Sequence, residues 1–417
     1  MAANVSKLSN GIRVATYPMP AVGTVTLGVW FGVGTRHEAA ADNGLAHLLE
    51  HMAFKGTVRR SAQKIAEEIE DVGGYLNAYT SREITAYYAK VLQKDVGLAV
   101  DLLADILQHA VYDEAELERE RNVILQEIGQ ALDTPDDIIY DHFQAVSYPD
   151  QPMGRPILGP AEIIKHVTRD QVLNFVTPRY GSDRMVIVAA GAVEHEAFVQ
   201  LAEQHFATMP KSQIQDVEPA RYQGGLYVEA KELEQVHSVL GYRGLPFSND
   251  AAHYALGIYS TLMGGGMASR LFQEVREKRG LAYSIYSNNA SYQDCGTFQI
   301  YAGTGDAGIR TLLPVVHNEL VRAAERGFSP TEIARAKAQW QSSLLMGLES
   351  TSACARFVAN NLIHLERVPE LSEISAHIDA VNADQLQQTA QDLLKTPSSL
   401  ALLGPKVDQI DLSAYQS

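Results

Sequence analysis

The chain has 417 residues, 46 % of them hydrophobic and 20 % charged. This is ordinary globular usage, which excludes a disordered or fibrous protein, and at ~100–200 residues per domain it implies two or three domains. Lys and Arg number 34 against 50 Asp and Glu, a formal net charge of −16; this argues against binding nucleic acid or an anionic membrane through overall charge, because phosphates need compensating cations. Two cysteines, Cys295 and Cys354, are too few for a disulfide framework and match no metal or redox spacing. No apolar signal core, Arg-rich transit segment or run near ~18 apolar residues is present, so membrane insertion is not expected and the compartment is read as cytoplasmic, with a periplasmic or processed organellar form left open.

Along the chain, Gly11–Thr16 reads as a strand after the Ser9-Asn10-Gly11 turn signal. Val25, Leu27, Val29, Phe31 and Val33 alternate with Thr26, Gly28, Trp30 and Gly32, the period of a second strand. Helices are expected at about 43–54 and 62–72, the latter stopped by Gly73-Gly74. Strands follow at 75–79 and 84–92, then helices at 96–110 and 113–132, the second opened by a capping box of Asp113 and Glu116. A strand at 184–190 and a helix at 196–207 complete the first half. Residues 208–223 are polar, aperiodic and contain two prolines, and read as a linker.

The order then begins again. Strands are expected at 225–230 and 238–243 and a helix at 251–262. The Gly264–Gly266 loop leads to a helix at 269–278, and strands follow at 282–287 and 296–302. Helices at 307–325, 330–348, 353–364 and 383–394 precede a last strand at 399–403. Ser329-Pro330-Thr331-Glu332 supplies an N-cap, a proline at the first helical position and a capping-box Glu. Both halves run strands, helix, strand pair, long helices, strand, and 184–191 is echoed by 399–404. The expected fold class is therefore α+β: two domains of one fold, 1–207 and 224–417, joined by 208–223.

Chemistry concentrates in His47-Leu48-Leu49-Glu50-His51. Residues four apart share a helix face, so His47 and His51 are placed to present both imidazoles to one metal, an arrangement that suits zinc. Glu50 lies about 60° round the helix from His47, where a carboxylate can hold a water and take its proton; this is the H-x-x-E-H order. The plain alternative is an amphipathic helix with two surface histidines. A catalytic zinc needs a third protein ligand. The helix at 113–132 offers Glu114, Glu116, Glu118, Glu120 and Glu127, and spacing does not choose among them. Glu120 and Glu127 share a face, and Val123, Ile124, Leu125 and Ile128 surround Glu127 with apolar neighbours that make a lone carboxylate costly. Glu114 to Glu118 read as a solvated helix start favoured by the macrodipole.

The segment His47–Thr57 resembles the pitrilysin (insulysin) family of zinc peptidases, and most of all the branch holding the β subunit of mitochondrial processing peptidase and its bacterial relatives. The similarity continues through Gly74–Glu83, Glu120–Ile128, Gly154–Gly159 and Leu271–Tyr283. The resemblance implies a Zn²⁺ site of His47, His51 and Glu127, with 75 residues between the second His and the Glu as in the family pattern. It implies Glu50 as catalytic base and Glu120 as support for a ligand histidine. Asn77, Ala78 and Tyr79 become a strand edge to which substrate backbone adds, and Phe54 lines the pocket for the side chain after the cut. Asp137 and Asp141 match an acidic pair that holds an arginine two residues before the cut; the first is Glu in that pair, so Asp137 is a shortened carboxylate, and the plain alternative is two acids on a solvated face.

Arg276 and Tyr283 match a pair that contacts substrate and the oxyanion from the family's C-terminal half. The Gly264–Gly266 loop resembles a flexible segment near a closed chamber, or is a plain turn. Long family members have four domains, so a two-domain chain implies half of a clamshell chamber and a homodimer acting on peptides, with Arg276 and Tyr283 reaching the partner's zinc. A heterodimer with a paralogous chain and a non-catalytic scaffold subunit are the competing readings.

Overall fold

The computed structural model describes residues 2–213 and 217–415; the centre of the expected linker, 214–216, lies outside the described residues. Eleven strands and fourteen α-helices are described. The first part of the chain holds β1 (Asn4–Lys7), β2 (Arg13–Pro18), β3 (Thr24–Phe31), α1 (Leu45–Ala53), α2 (Ala62–Glu70), β4 (Tyr75–Thr80) and β5 (Thr85–Leu92). Next come α3 (Val96–Gln108), α4 (Glu114–Leu132), α5 (Pro135–Ser147), α6 (Ala161–Ile164), α7 (Arg169–Arg179), β6 (Met185–Gly191) and α8 (His195–Phe206). The second part holds β7 (Gly225–Ala230), β8 (Val236–Arg243), α9 (Ala251–Gly264), β9 (Ala282–Ser291), β10 (Gly296–Thr304), α10 (Ile309–Arg326) and α11 (Pro330–Gly347). It ends with α12 (Thr351–Leu365), α13 (Leu371–Ala380), α14 (Ala383–Leu394) and β11 (Ser399–Gly404). The helix expected at 269–278 is a shorter π-type segment, Phe272–Glu277. Sequence periodicity did not reveal β1, α5, α6, α7 or α13.

Two sheets organise two compact units. The first has strand order β1-β2-β6-β3-β5-β4, the second β7-β11-β8-β10-β9. In each, one pair is parallel, β2 with β6 and β7 with β11, and every other pairing is antiparallel. The two sheets therefore share one topology, with β1 added to the first, and the expected repeated α+β fold is present.

In the first unit, β6 is buried along its whole length, as a strand covered on both faces must be. One face packs against Leu45, Leu48, Leu49 and Met52 of α1, Leu102, Leu103 and Ile106 of α3, and Phe198, Ala202 and Phe206 of α8. The other face, with Trp30, Val186 and Val188, packs against Cys354, Ala355, Val358, Ala359 and Leu362 of α12. In the second unit, Ile139 and Phe143 of α5 pack on Val239, Tyr301, Ala401 and Leu403 of the sheet. Compact units and linear halves thus differ at two places: residues Gln130–Gly154, before the linker, belong to the second unit, and Leu345–Leu371, after it, to the first. Each half of the chain gives the other's sheet a helix.

The capping box at α11 is formed: Glu332 accepts from the Ser329 amide at 2.8 Å and Ser329 Oγ from the Glu332 amide at 3.3 Å. At α4, Asp113 accepts from the amides of Ala115 and Glu116. Cys295 and Cys354 are buried and form no disulfide, and burial pushes the Cys354 thiol up to about 11. Among the described residues no helix is long and apolar enough to cross a membrane.

Candidate metal centre

α1 begins at Gly44, held at φ 101°, and turns its apolar face into the core through Leu45, Leu48, Leu49 and Met52. That fixes the opposite stripe, His47, Glu50 and His51, beside β4 and α4. The two imidazoles stand with ring centroids 4.7 Å apart and planes at 63°. Glu127 Oε2, from α4, lies 3.8 Å from His47 Nε2 and 3.7 Å from His51 Nε2. These separations are too long for hydrogen bonds. They are close to the edge of a tetrahedron around a zinc ion at 2.0–2.1 Å from each ligand, about 3.4 Å. One ligand atom from each of the three residues lies within 4.8 Å of the other two, and no other His/Cys/Asp/Glu group among the described residues meets that standard.

Protonation suits the same task. Burial, and then the neighbouring His51, push His47 down to about 4, so at neutral pH it is an uncharged imidazole with a lone pair to donate. His51 Nδ1 stands 3.0 Å from Glu120 Oε2, which directs Nε2 toward Glu127. Glu120 is buried and its other oxygen is paired with Lys55 Nζ at 2.7 Å. A carboxylate that orients a histidine and is itself held is the usual outer support of a metal ligand. The donor set of two imidazole nitrogens and one carboxylate oxygen fits zinc.

Glu50 accepts a hydrogen bond from Thr80 Oγ1 at 2.6 Å on Oε2, leaving Oε1 available. Burial raises its pKa above the ordinary carboxylate value, with the Thr80 hydrogen bond opposing. The expected apolar surroundings of Glu127 are not observed. Its side chain is 38 % exposed and Val123 is 39 % exposed, because α4 fully buries only Leu117, Glu120 and Ile124, with Leu125 and Ile128 half-buried against the core. Glu127 joins the group by position rather than by the cost of isolation. Glu116 and Glu118 pair with Arg119 and Arg121 on the helix surface, as a solvated start requires.

β4 is the last strand of its sheet, so Asn77, Ala78 and Tyr79 lie on an edge. Ala78 is buried on the α1 side; the Tyr79 hydroxyl accepts from Trp30 Nε1 at 3.0 Å on the other. Phe54 caps the end of α1, 6.1 Å from the Tyr87 ring. Asp137 and Asp141 lie one turn apart on α5, in the second unit, where burial and then Asp141 raise the pKa of Asp137. Also in the second unit, the Arg276 guanidinium sits 4.5 Å from the Tyr283 ring centroid, and Tyr283 is 75 % exposed. Thr80 and Lys55 were not singled out from sequence; both stand in the segments that carry the family resemblance.

The chain belongs to the M16 family of peptidases. Residues 13–161 match the insulinase (peptidase family M16) profile and residues 166–340 the peptidase M16 inactive domain. A chain of Rickettsia felis named an uncharacterized zinc protease is 39 % identical over 402 residues, 96 % of this chain and 97 % of its own. One from Bacillus subtilis with the same description is 38 % identical over 397 residues, 95 % and 97 % of the two chains. The crystal structure of a protease from Helicobacter pylori has the same fold, with TM-score 0.91 at 24 % identity over 97 % of this chain and all of that one. Curated relatives are thus named zinc proteases, and this chain carries a candidate His–His–Glu zinc site.

Proposed function

We propose that the protein is a zinc-dependent endopeptidase of unfolded peptides, with His47, His51 and Glu127 as metal ligands and Glu50 as the general base and acid. The observation that carries this reading is the convergence of three ligand atoms from α1 and α4 with Glu50 directly beside them. Zinc bound there supplies a Lewis acid for a peptide carbonyl and lowers the pKa of a water. Glu50 Oε1 takes the proton of the attacking water, while Thr80 holds Oε2, and then returns that proton to the leaving amine. Glu120, braced by Lys55, keeps His51 in one orientation. The edge of β4 offers backbone N–H and C=O groups to an extended peptide, with Phe54 beside the residue after the cut.

The reading extends to a homodimer that closes a chamber, in which Arg276 and Tyr283 donate to the developing oxyanion of peptide held by the other copy. Support for it is that one chain carries both the zinc motif and the preassembled Arg276–Tyr283 pair. The same completeness disfavours a non-catalytic scaffold. Asp137 and Asp141 are assigned to a basic side chain before the cut.

Glu50→Gln tests the reading. Elemental analysis is expected to find zinc in the purified variant as in the wild type, and mass spectrometry of a peptide library is expected to find no cleavage. Full cleavage by that variant would overturn the assignment.

A further inference from the structure

α1 carries three of the five residues of the candidate site, yet its N-terminus has no local cap. Gly44 at the cap position has no side chain to offer, and none fits. A Cβ there would stand 2.7 Å from the Leu158 carbonyl oxygen, and one at Gly159 would stand 2.3 Å from the Asn43 carbonyl oxygen. The backbones of 43–44 and 158–159 touch directly. The exposed N–H groups of a helix start still need acceptors.

They are met from six residues upstream of the cap. Glu38, 4 % exposed, accepts from the Ala46 amide at 2.7 Å on Oε1 and from the Gly44 amide at 3.0 Å on Oε2. Asn43 Nδ2 donates to the same Oε2 at 2.9 Å and to the Pro156 carbonyl at 3.0 Å. Arg155 donates to the Glu38 carbonyl at 2.9 Å. The Arg155–Gly159 part of the segment singled out from sequence, which has no part in the proposed chemistry, is the wall behind this seat.

Glu38 is itself tied to the substrate strand. The Thr35 and Arg36 amides donate to the Ser81 and Arg82 carbonyls at 3.1 and 2.8 Å, and Arg36 pairs with Glu83 at 2.6 Å, both side chains buried. Residues 81–83 form the turn that leaves β4, immediately after Thr80, the partner of Glu50. One path of hydrogen bonds therefore runs from the end of β4 through 35–38 to the Ala46 amide, next to His47. A second runs from Thr80 to Glu50. Together they set where α1 stands along β4.

We infer that Glu38 is a positioning residue for the metal centre: its buried carboxylate caps α1 from a distance and fixes His47 and Glu50 in register with the edge strand. The assignment rests on the zinc-peptidase reading, and its test separates the two. In the full-length chain, Glu38→Gln puts an amide NH₂ against a backbone N–H where an acceptor stood. Zinc affinity measured against a competing chelator is expected to fall about ten- to a hundredfold, the range for losing an outer support. Amide exchange at Gly44 and Ala46 is expected to quicken while that of β3 and β6 stays at the wild-type rate. On a fluorogenic peptide kcat is expected to drop with KM nearly unchanged.

A folded Glu38→Gln chain that holds zinc as tightly as the wild type overturns the inference, even if its melting temperature falls, since that outcome is a structural role alone. A wild-type chain that binds no zinc sinks the peptidase reading instead. Should Glu38→Gln fail to fold, Asn43→Ala removes the bond to Glu38 and the one to Pro156 together. A several-fold loss of zinc affinity is expected there, and wild-type affinity in that variant overturns the inference as well.

Discussion

The two copies of the fold differ most where they correspond most closely. In the first unit, α1 lies against the edge strand β4, with α4 alongside. In the second, α9 lies against the edge strand β9, with Trp340 of α11 packed on Tyr254 of α9 at a ring-centroid distance of 5.6 Å. The first frame gathers two imidazoles and three carboxylates. The second encloses a cavity of about 450 Å³ lined by His253, Ser260 and Thr261 of α9, Ser287 and Asn289 of β9, and Trp340, with no trio of metal-ligating side chains among the described residues. The indole ring fills space beside α9 so tightly that a Cβ at Gly257 would stand 2.5 Å from it. The helix–edge strand–helix frame is thus generic. Chemistry resides in a handful of side chains projected from it.

The sharpest way to break this contrast is to remove side chains from one copy at a time. Glu50→Gln is expected to lower peptide cleavage by at least the ~10²–10⁴-fold that general acid–base catalysis contributes, whereas His253→Gln in the second copy should leave kcat within a factor of two. A steady-state assay of both variants checks this. Metal content should follow the same division: one zinc per wild-type chain, none retained through a desalting column by Glu127→Ala, and one retained by His253→Gln, read by elemental analysis.

The exchanged helices give a stability test of the two units. Leu362 of α12 and Phe143 of α5 are fully buried, each against the sheet of the other half of the chain. Leu362→Ala is expected to cost about 2–5 kcal/mol and Phe143→Ala about 3–5 kcal/mol. Urea unfolding followed by hydrogen exchange should localise the loss to the first sheet for Leu362→Ala and to the second for Phe143→Ala.

A smaller effect is expected from pH, through two neighbours of opposite sign. Burial pushes His37 down to about 4, so its contribution is present above the ordinary His value of about 6.5 and is lost as pH falls toward 4. Burial pushes Glu38 up to about 7 against the hydrogen bonds from Ala46, Asn43 and Gly44. The native state then holds that proton more tightly than the unfolded chain, and stability falls as pH rises from about 4.5 to 7. Over their shared window the two oppose each other. Urea unfolding of metal-free Glu38→Gln between pH 4.5 and 6.5 should therefore show a steeper rise of stability with pH than the wild type. Smallest of all, Asp137→Asn should reduce by a few-fold the enrichment of arginine two residues before the cut in a peptide library.

Much of the candidate site was legible in one helix. His47, Glu50 and His51 share a face because the α-helical period places them there, and Leu45, Leu48 and Leu49 decide which way that face points. Glu127 was favoured by its apolar neighbours in sequence and by family resemblance; it proved half-exposed, since adjacent residues on a helix point in different directions. The alternating strands, the glycine stops and the box at Ser329 are local signals, and they hold.

What the sequence by itself determined is therefore most of the elements, their repeat and the pairing of two histidines on one face, all consequences of short-range periodicity and capping. Only the tertiary structure decided which sheet α5 and α12 cover, since an apolar stripe says that a helix must be buried but not against what. It alone brought Thr80 to α1 and set the distances of Glu127 and Glu120 from its histidines. The seat that Glu38 makes for α1 is invisible to pattern as well, because its partners include backbone amides, which every residue but proline carries.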